Sequence, residues 1–271
     1  MIIDSLTVNK YRNDLFTRSR GLVYRDLRKN PLNSVDWDTG QVVIPREDWP
    51  DLIAIQEASD SRISDIRNRA DFGDPMKSLD QGKEGYCWAY STVACSMLTR
   101  AIANHPYERL SPHAIGCMVQ NFRNRGAWGA LSMKFMAEHG CPSEEFWPQQ
   151  SMDPENDNTE TWDDARRFKV TEAYLDLSIK AWEVDLGVDL CASLMLSNIP
   201  VVLDFDWWGH SVTGMDVVDL YPDKDANDLY RYGFRILNSW GDGWGDNGTA
   251  VITGENIIPM GSCAARVLMG S

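Results

Sequence analysis

The hydrophobic periodicity of this 271-residue chain changes about halfway along its length. From about residue 72 to 140, apolar residues return every three or four positions, which is the spacing of one face of an α-helix. Later come β-rich runs, among them "IPVVLDFDWW", "HSVTGMDVVDLY", "YRYGFRILNSW" and "GTAVITG". A helical half followed by a strand-rich half predicts an α+β protein with two lobes, and ligands commonly bind between such lobes.

Local signals predict individual helices. "WAYSTVACSMLTRAIA" predicts a helix that begins near Cys87. Ser111 and Pro112 fit the cap and first position of a second helix, and "WGALSMKFMAEHG" predicts a third that closes at Gly140. Farther along, "RRFKVTEAYLDLS" predicts a strand and "VDLGVDLCASLMLSN" a helix.

Turn signals and little periodic structure characterise residues 1–70, which we therefore expect to form an N-terminal extension. Residues 71–271 would form the main domain, with a helical lobe at 71–165 and a β-rich lobe at 166–271. The extension has two alternative roles: it blocks the cleft as an inhibitory segment, or it is an arm that docks onto a protein assembly partner.

Charge and hydropathy exclude several classes of partner. The net charge of −14 repels polyanions, so we expect no nucleic-acid partner. No run approaches the roughly 18 apolar residues of a membrane span, and the first residues lack the pattern of a signal peptide. The first thirty residues are net positive and could lie across the acidic body or an acidic partner.

The chain has six cysteines, at positions 87, 95, 117, 141, 191 and 263. None shows CxxC or other metal-ligand spacing, so we expect no metal and no cofactor. A chain of this length without an export signal does not need disulfides. Cys95 and Cys191 fall in apolar, helix-like stretches, which predicts that they are core residues.

Cys87 stands where a helix is predicted to begin, behind Gly82 and Gly85. The first turn of a helix has unpaired backbone N–H groups and lies at the positive end of the helix dipole. This environment favours a thiolate over a thiol. A thiolate is a nucleophile, and acyl transfer by a nucleophile also requires a base and a site for the oxyanion.

Among the four histidines, His210 is the candidate base, at the mouth of a β-run and behind two tryptophans. Asn238, in "NSWGDGWGDNG", can accept a hydrogen bond from the imidazole and fix its tautomer. Trp240 can cover that bond from water. Taken singly, a lone histidine is more often structural, and this glycine-rich string is also typical of a hairpin with packing tryptophans.

Together these stretches resemble the papain family of cysteine peptidases. "QGKEGYCWAYS", "GHSVTG" and "NSWGDGWGDNG" match its nucleophile, histidine and asparagine motifs in the family's order. Weaker similarity covers "LSPHAIGC" and "GAWGALSMKFMAEHGCPSEEFWP", and the resemblance spans about 66 to 254. It implies a papain-like two-lobed fold, a helical lobe followed by a barrel-like, strand-rich lobe, with the active site in the cleft between them.

The resemblance also implies roles for individual residues. Cys87 would be the nucleophile, paired with His210 as thiolate and imidazolium, and Asn238 would orient His210. Gln81 would donate to the oxyanion together with the backbone N–H of Cys87. The supporting residues would be Trp88, Ser239 and Trp240, and weaker cleft candidates are Gly126, Trp207 and Trp208. Gly126 matches a substrate-pairing glycine only across a gap, and the two tryptophans would either form the cleft wall or cap the barrel.

One departure from the family pattern lies close to the nucleophile. Secreted members have a cysteine, bonded to a distant one, where this chain has Glu84. That disulfide is therefore not expected, in agreement with a reducing compartment. Glu84 would also oppose ionisation of Cys87 unless its carboxylate points into water.

These observations predict a cysteine-dependent peptide or amide hydrolase that acts through an acyl-enzyme on a polypeptide substrate. The alternative is a papain-fold structural protein of a virion or other assembly, of a bacterial or bacteriophage type, in which catalysis is dispensable or lost. An aminopeptidase or transferase, as in the bleomycin hydrolases, ranks lower because no comparable C-terminal extension reaches back to the cleft. We expect a cytoplasmic or virion-associated protein.

Overall fold

The computed structural model describes residues 1–13, 19–27, 29–30, 43–69, 76–174, 177 and 184–266. The helices in these segments are α1 (Val8–Asn13), α2 (Trp49–Ala58), α3 (Ile63–Arg67), α4 (Cys87–Ile102), α5 (Pro112–Gln120), α6 (Gly129–His139), α7 (Thr159–Ala165) and α8 (Val184–Leu196). Among these helices, none combines the length and the continuous apolar stretch that a membrane span requires.

The strands form one seven-stranded sheet in the order β1-β6-β5-β4-β3-β7-β2. They are β1 (Ile2–Ile3), β2 (Glu172–Tyr174), β3 (Val201–Phe205), β4 (His210–Asp219), β5 (Tyr232–Leu237), β6 (Thr249–Thr253) and β7 (Gly261–Arg266). All neighbouring strands are antiparallel except β1 and β6, which are parallel. Because β4 and β5 are neighbouring antiparallel strands, the first residue of β4 and the last residue of β5 lie at the same end of this strand pair.

Helix α4 lies in the centre of the molecule, and nearly all of its residues are buried. Buried polar contacts join it to β4: the Ser91 and Ser211 hydroxyls are 2.7 Å apart, and the Thr213 hydroxyl donates to the Ser91 carbonyl at 2.8 Å. The helical and β-rich halves therefore meet along α4.

The α+β architecture predicted from the sequence is confirmed, including the helices that begin at Cys87 and Pro112 and the β-runs in the second half. Gly140 ends α6 with a φ of 87°, as its position after the helical pattern indicated. Ser111 occupies the cap position of α5, but its side chain makes no capping hydrogen bond. Residues 175–176 and 178 of the stretch predicted as a strand lie outside the described residues.

The expectation of little regular structure before residue 70 is wrong for the ten-residue helix α2. Strands β1 and β7 were not predicted either. Within the described part of 1–70, Ile3 and Trp49 are fully buried, so residues on both sides of position 70 share one sheet and one core. The domain boundary itself stays a prediction, and residues 14–18, 28, 31–42 and 70 of the predicted extension lie outside the described residues.

Trp49 tests whether α2 is an integral part of the fold. Its ring packs edge-on against Tyr232 at 5.0 Å, and its indole N–H donates to the Ile44 carbonyl at 3.0 Å. We expect Trp49→Ala to lower the free energy of unfolding by about 3–5 kcal/mol in urea denaturation, because it leaves a large cavity. Ile55→Ala on the same helix is the control: Ile55 is 61% exposed, and its loss should cost no more than about 0.5 kcal/mol. Equal effects of the two changes would contradict this role of α2.

Candidate active site

Cys87 and His210 are the first residues of α4 and β4, which pack against each other through Ser91 and Ser211, and both side chains are fully buried. Backbone N–H groups of Ser211, the residue after His210, and of Trp88 lie near enough to the Cys87 sulfur to lower the pKa of the thiol. The thiol therefore lies beside the start of β4.

Asn238 follows directly after β5 and holds the imidazole of His210. The distance from His210 Nε2 to Asn238 Oδ1 is 2.7 Å, so the ring N–H at this nitrogen donates to the amide oxygen. His210 Nδ1 forms no hydrogen bond within the described part of the structure. This arrangement leaves Nδ1 as the ring nitrogen that can accept a proton.

Tryptophans enclose the imidazole. The Trp240 ring lies 4.6 Å from the His210 ring at an interplanar angle of 30°, and Trp208 lies 4.9 Å away, edge-on. Trp207 stacks on Trp208 at 5.3 Å, and its indole N–H donates to the Asn256 carbonyl. Trp208 and Trp240 thus shield the histidine–asparagine bond from water, which strengthens it.

Gln81 is fully buried, and Ser239 fixes the orientation of its amide. The Ser239 hydroxyl donates to Gln81 Oε1 at 2.6 Å, and the Gln81 backbone N–H donates to the Ser239 carbonyl at 3.0 Å. The side-chain NH₂ group therefore faces the other way, where it donates to the Ser19 and Glu84 carbonyls at 3.1 and 2.8 Å.

Trp88 and Gly126 lie on the helical side of the site. Trp88 is fully buried, and its indole N–H donates at 3.0 Å to the carbonyl of Gly85, which fixes the turn before Cys87. At Gly126, a Cβ atom would lie 2.2 Å from the carbonyl oxygen of Gly21, so the backbone of residues 21 and 126 is in close contact.

Residues 19–25, which we call the strap, lie over this site. The Gly21 N–H donates to the Cys87 sulfur at 3.2 Å. The Ser19 carbonyl accepts hydrogen bonds from Gln81 Nε2 at 3.1 Å and from the Trp240 indole at 3.3 Å. The strap thus occupies donors and acceptors that the sequence assigned to the active site.

Backbone hydrogen bonds attach the strap to both sides of the cleft. On the helical side, Ala127 donates to the Gly21 carbonyl at 2.8 Å, and Val23 donates to the Ala127 carbonyl at 3.1 Å, a parallel bridge. On the β-rich side, Leu22 donates to the Gly209 carbonyl at 3.3 Å. The chain therefore runs between the two lobes.

Burial makes the neutral forms of both groups more stable in this arrangement. It raises the pKa of the Cys87 thiol to about 12, although backbone N–H groups of Ser211 and Gly21 oppose the shift. Burial also lowers the pKa of His210 to about 3, with the bond to Asn238 opposing and the positive charge of Arg20 adding to the shift. The expectation of a thiolate at Cys87 is therefore wrong for this covered state, because desolvation outweighs the helix terminus.

The acidic residue that affects Cys87 is Asp204, which the sequence analysis did not single out. Asp204 is buried in β3, accepts a hydrogen bond from the Gly129 N–H at 3.2 Å, and raises the pKa of the Cys87 thiol. Glu84 instead lies 3.8 Å from His113 Nε2. Asp204 comes near the thiol through the pairing of β3 with β4, which no motif indicates.

No family model matches the chain. Its sequence is similar to pro-cathepsin H of Bos taurus, 22% identical over 215 residues, which cover 74% of this chain and 62% of the relative. The chain thus spans less than two thirds of the length of this relative.

Solved structures of cysteine proteases share the fold. Xylellain, a cysteine protease from Xylella fastidiosa, matches with a TM-score of 0.55 and 19% identity over 73% of this chain and 85% of its own. Digestive procathepsin L 3 of the Tenebrio molitor larval midgut matches with a TM-score of 0.54 and 15% identity over 70% and 66%. The fold is papain-like, as the sequence resemblance implied.

The low pKa of His210 predicts its titration. Its imidazole should stay neutral from about pH 8 to about pH 5 in NMR spectra, with signals assigned by comparison with His210→Gln. An unfolded chain protonates this ring near its ordinary pKa of about 6.5, and the folded chain does not, so His210 makes the folded state less stable as the pH falls below that value. A titration midpoint of 6 to 7 in the folded protein would contradict the desolvated arrangement.

Proposed function

We propose that this chain, whose fold is papain-like, is a papain-like cysteine peptidase that hydrolyses peptide bonds through Cys87. The convergence of Cys87, His210, Asn238 and Gln81 at the junction of α4 and β4 carries the proposal. Xylellain, which has the same fold, is a cysteine protease, and this supports the same reaction class.

In the proposed reaction His210 accepts the thiol proton of Cys87 at Nδ1. The sulfur then bonds to the carbonyl carbon of the substrate and forms a tetrahedral adduct. As the adduct collapses, the C–N bond breaks and the imidazolium returns its proton to the leaving amine. Water, activated by the same imidazole, attacks the thioester and releases the acid and the free thiol. Asn238 keeps Nε2–H bound throughout, so that Nδ1 is the nitrogen that exchanges the proton.

Gln81 is the proposed side-chain donor to the oxyanion. Its Nε2 already binds a peptide carbonyl oxygen, that of Ser19, at 3.1 Å. A substrate carbonyl in the same position would develop negative charge against a donor that Ser239 has oriented in advance. The backbone N–H of Cys87 is the second proposed donor.

The strap favours the cleft-blocking role of the N-terminal extension over the docking arm. Its backbone binds the Cys87 sulfur, Gln81 and Ala127, where a substrate would have to lie. A virion or assembly role in which catalysis is lost stays a prediction, as does a bacterial or bacteriophage type.

The first test compares cleavage of a peptide library, under reducing conditions, by the wild type and by Cys87→Ala. The products are identified by mass spectrometry. We expect cleavage by the wild type only, because the alanine variant has no nucleophile. Product sets that are the same for both proteins would overturn the peptidase proposal and favour the assembly role.

A second prediction concerns the orientation of Gln81. Ser239→Ala removes one hydrogen bond to the amide, worth about 1–1.5 kcal/mol, and should lower kcat/KM about tenfold. Gln81→Ala removes the donor itself and should lower kcat about a hundredfold or more. The KM of Ser239→Ala should be largely unchanged. The positioning role would be contradicted if the two variants lost the same amount of activity, or if Ser239→Ala raised KM and left kcat unchanged.

A further inference from the structure

We infer that the strap is a permanent part of the molecule: the cleft opens when residues 19–25 lift away while the segments on both sides of them stay in the body of the protein. This inference rests on the proposed function, because it describes how the same site is regulated. It differs from an inhibitory segment that is cut off and lost. Five observations support it, two on the anchoring segments and three on the strap.

The segment before the strap is held in the sheet. Strand β1 pairs in parallel with β6, and the Val251 N–H donates to the Met1 carbonyl at 2.9 Å. Ile3 is fully buried, and the Tyr11 ring lies edge-on to Trp208 at 6.3 Å. Removing this segment would expose Ile3 and uncover the outer side of β6.

The segment after the strap is held equally firmly. The Ile44 N–H donates to the Ser193 hydroxyl at 2.8 Å, and Arg46 forms an ion pair with Asp189 at 2.7 Å. Trp49 is fully buried, and the Gln56 side chain donates to the Leu196 carbonyl at 3.1 Å. Helix α2 is therefore tied to α8 and to the core of the β-rich half.

Apart from the side chains of Arg20 and of Arg25, whose guanidinium lies over the Trp128 ring at 5.0 Å, the strap is bound to the cleft mainly by backbone hydrogen bonds. Val23 and Tyr24, near its middle, are 44% and 69% exposed. Leu22 packs only partly buried against the core of the helical half. An element with few buried apolar contacts opens at lower free energy than the core elements on either side of it.

Arg20 connects the strap to the segment before it. The guanidinium donates to the Trp208 carbonyl at 2.9 Å and to the Tyr11 carbonyl at 2.6 Å. Its positive charge also opposes protonation of His210. In the closed state the strap therefore covers the nucleophile and disfavours the charged form of the base.

Gly21 is the residue that permits closure. A Cβ atom at this position would lie 1.6 Å from the carbonyl oxygen of Gly85. Because this oxygen belongs to the backbone, the clash can be relieved only if one of the two chain segments moves. The clash exists only while the strap lies in the cleft, since Gly85 belongs to the turn before Cys87. Gly21→Ala is therefore expected to destabilise the closed state and leave the open state unaffected.

The test measures alkylation of Cys87 by iodoacetamide, followed by intact mass and peptide mapping. Overpacking costs typically 1–3 kcal/mol, so Gly21→Ala should raise the rate of labelling at Cys87 by roughly tenfold to a hundredfold. Gly243→Ala is the matched control, because an added Cβ there meets no atom within 4 Å, and it should label as slowly as the wild type. Thermal unfolding shows whether the Gly21→Ala protein is folded. If it is folded and its Cys87 is labelled no faster than in the control, the inference is overturned.

Retention of the strap is tested by a single cut. A site-specific protease sequence replaces residues 33–39, and the full chain is cut there after folding. We expect the N-terminal fragment to stay with the remainder in native size-exclusion chromatography, and Cys87 to label at the uncut rate. Loss of the fragment together with rapid labelling of Cys87 would show a releasable segment and refute the inference.

Labelling does not require turnover, so the two proposals can fail separately. If Gly21→Ala exposes Cys87 but no variant cleaves peptides in a Cys87-dependent way, the strap inference holds and the peptidase proposal fails. If peptides are cleaved but Gly21→Ala labels like the control, the peptidase proposal holds and the strap inference fails.

Discussion

The contact of α4 with β4 determines the geometry of the whole site. Cys87 and His210 are the first residues of these two elements, and the buried contacts of Ser91 with Ser211 and Thr213 fix how the elements are aligned. A shift of β4 by one residue would turn His210 to the opposite face of the sheet. The register of β4 against β5 then determines the place of Asn238, so one interface and one strand pair position three functional side chains.

The electrostatics of the site depend on its cover. The start of a helix favours an anion, and the backbone N–H of Gly21 donates to the Cys87 sulfur, yet burial keeps the thiol protonated. The two effects oppose each other, and desolvation is the larger when the strap is in place. Water that enters the cleft would reduce the desolvation and leave the backbone donors of Ser211 and Trp88 in position. Opening of the cleft would therefore lower the pKa of the Cys87 thiol.

The sequence was most informative where function requires particular side chains at fixed spacing. The stretches around Cys87, His210 and Asn238 predicted both the elements and their order, because a helix start, a strand start and a strand end are marked by local patterns. Strand β1 has only two residues, and its parallel pairing with β6 is non-local, so no periodicity indicates it. The strap binds through its backbone, and any sequence has the same backbone groups; only the positive charge of the first thirty residues suggested that they lie across an acidic body.

Anchoring at both ends has a kinetic consequence for a strap that has lifted. Its ends stay close to the cleft, so the strap remains at an effective concentration on the order of millimolar near its own binding site. In the proposed reaction a substrate would compete with this tethered segment in every catalytic cycle, and dilution of the protein would not weaken the competitor. Turnover would therefore depend on how well a substrate outcompetes the segment that contains Gly21, and only peptides that are abundant or tightly bound would keep the cleft open.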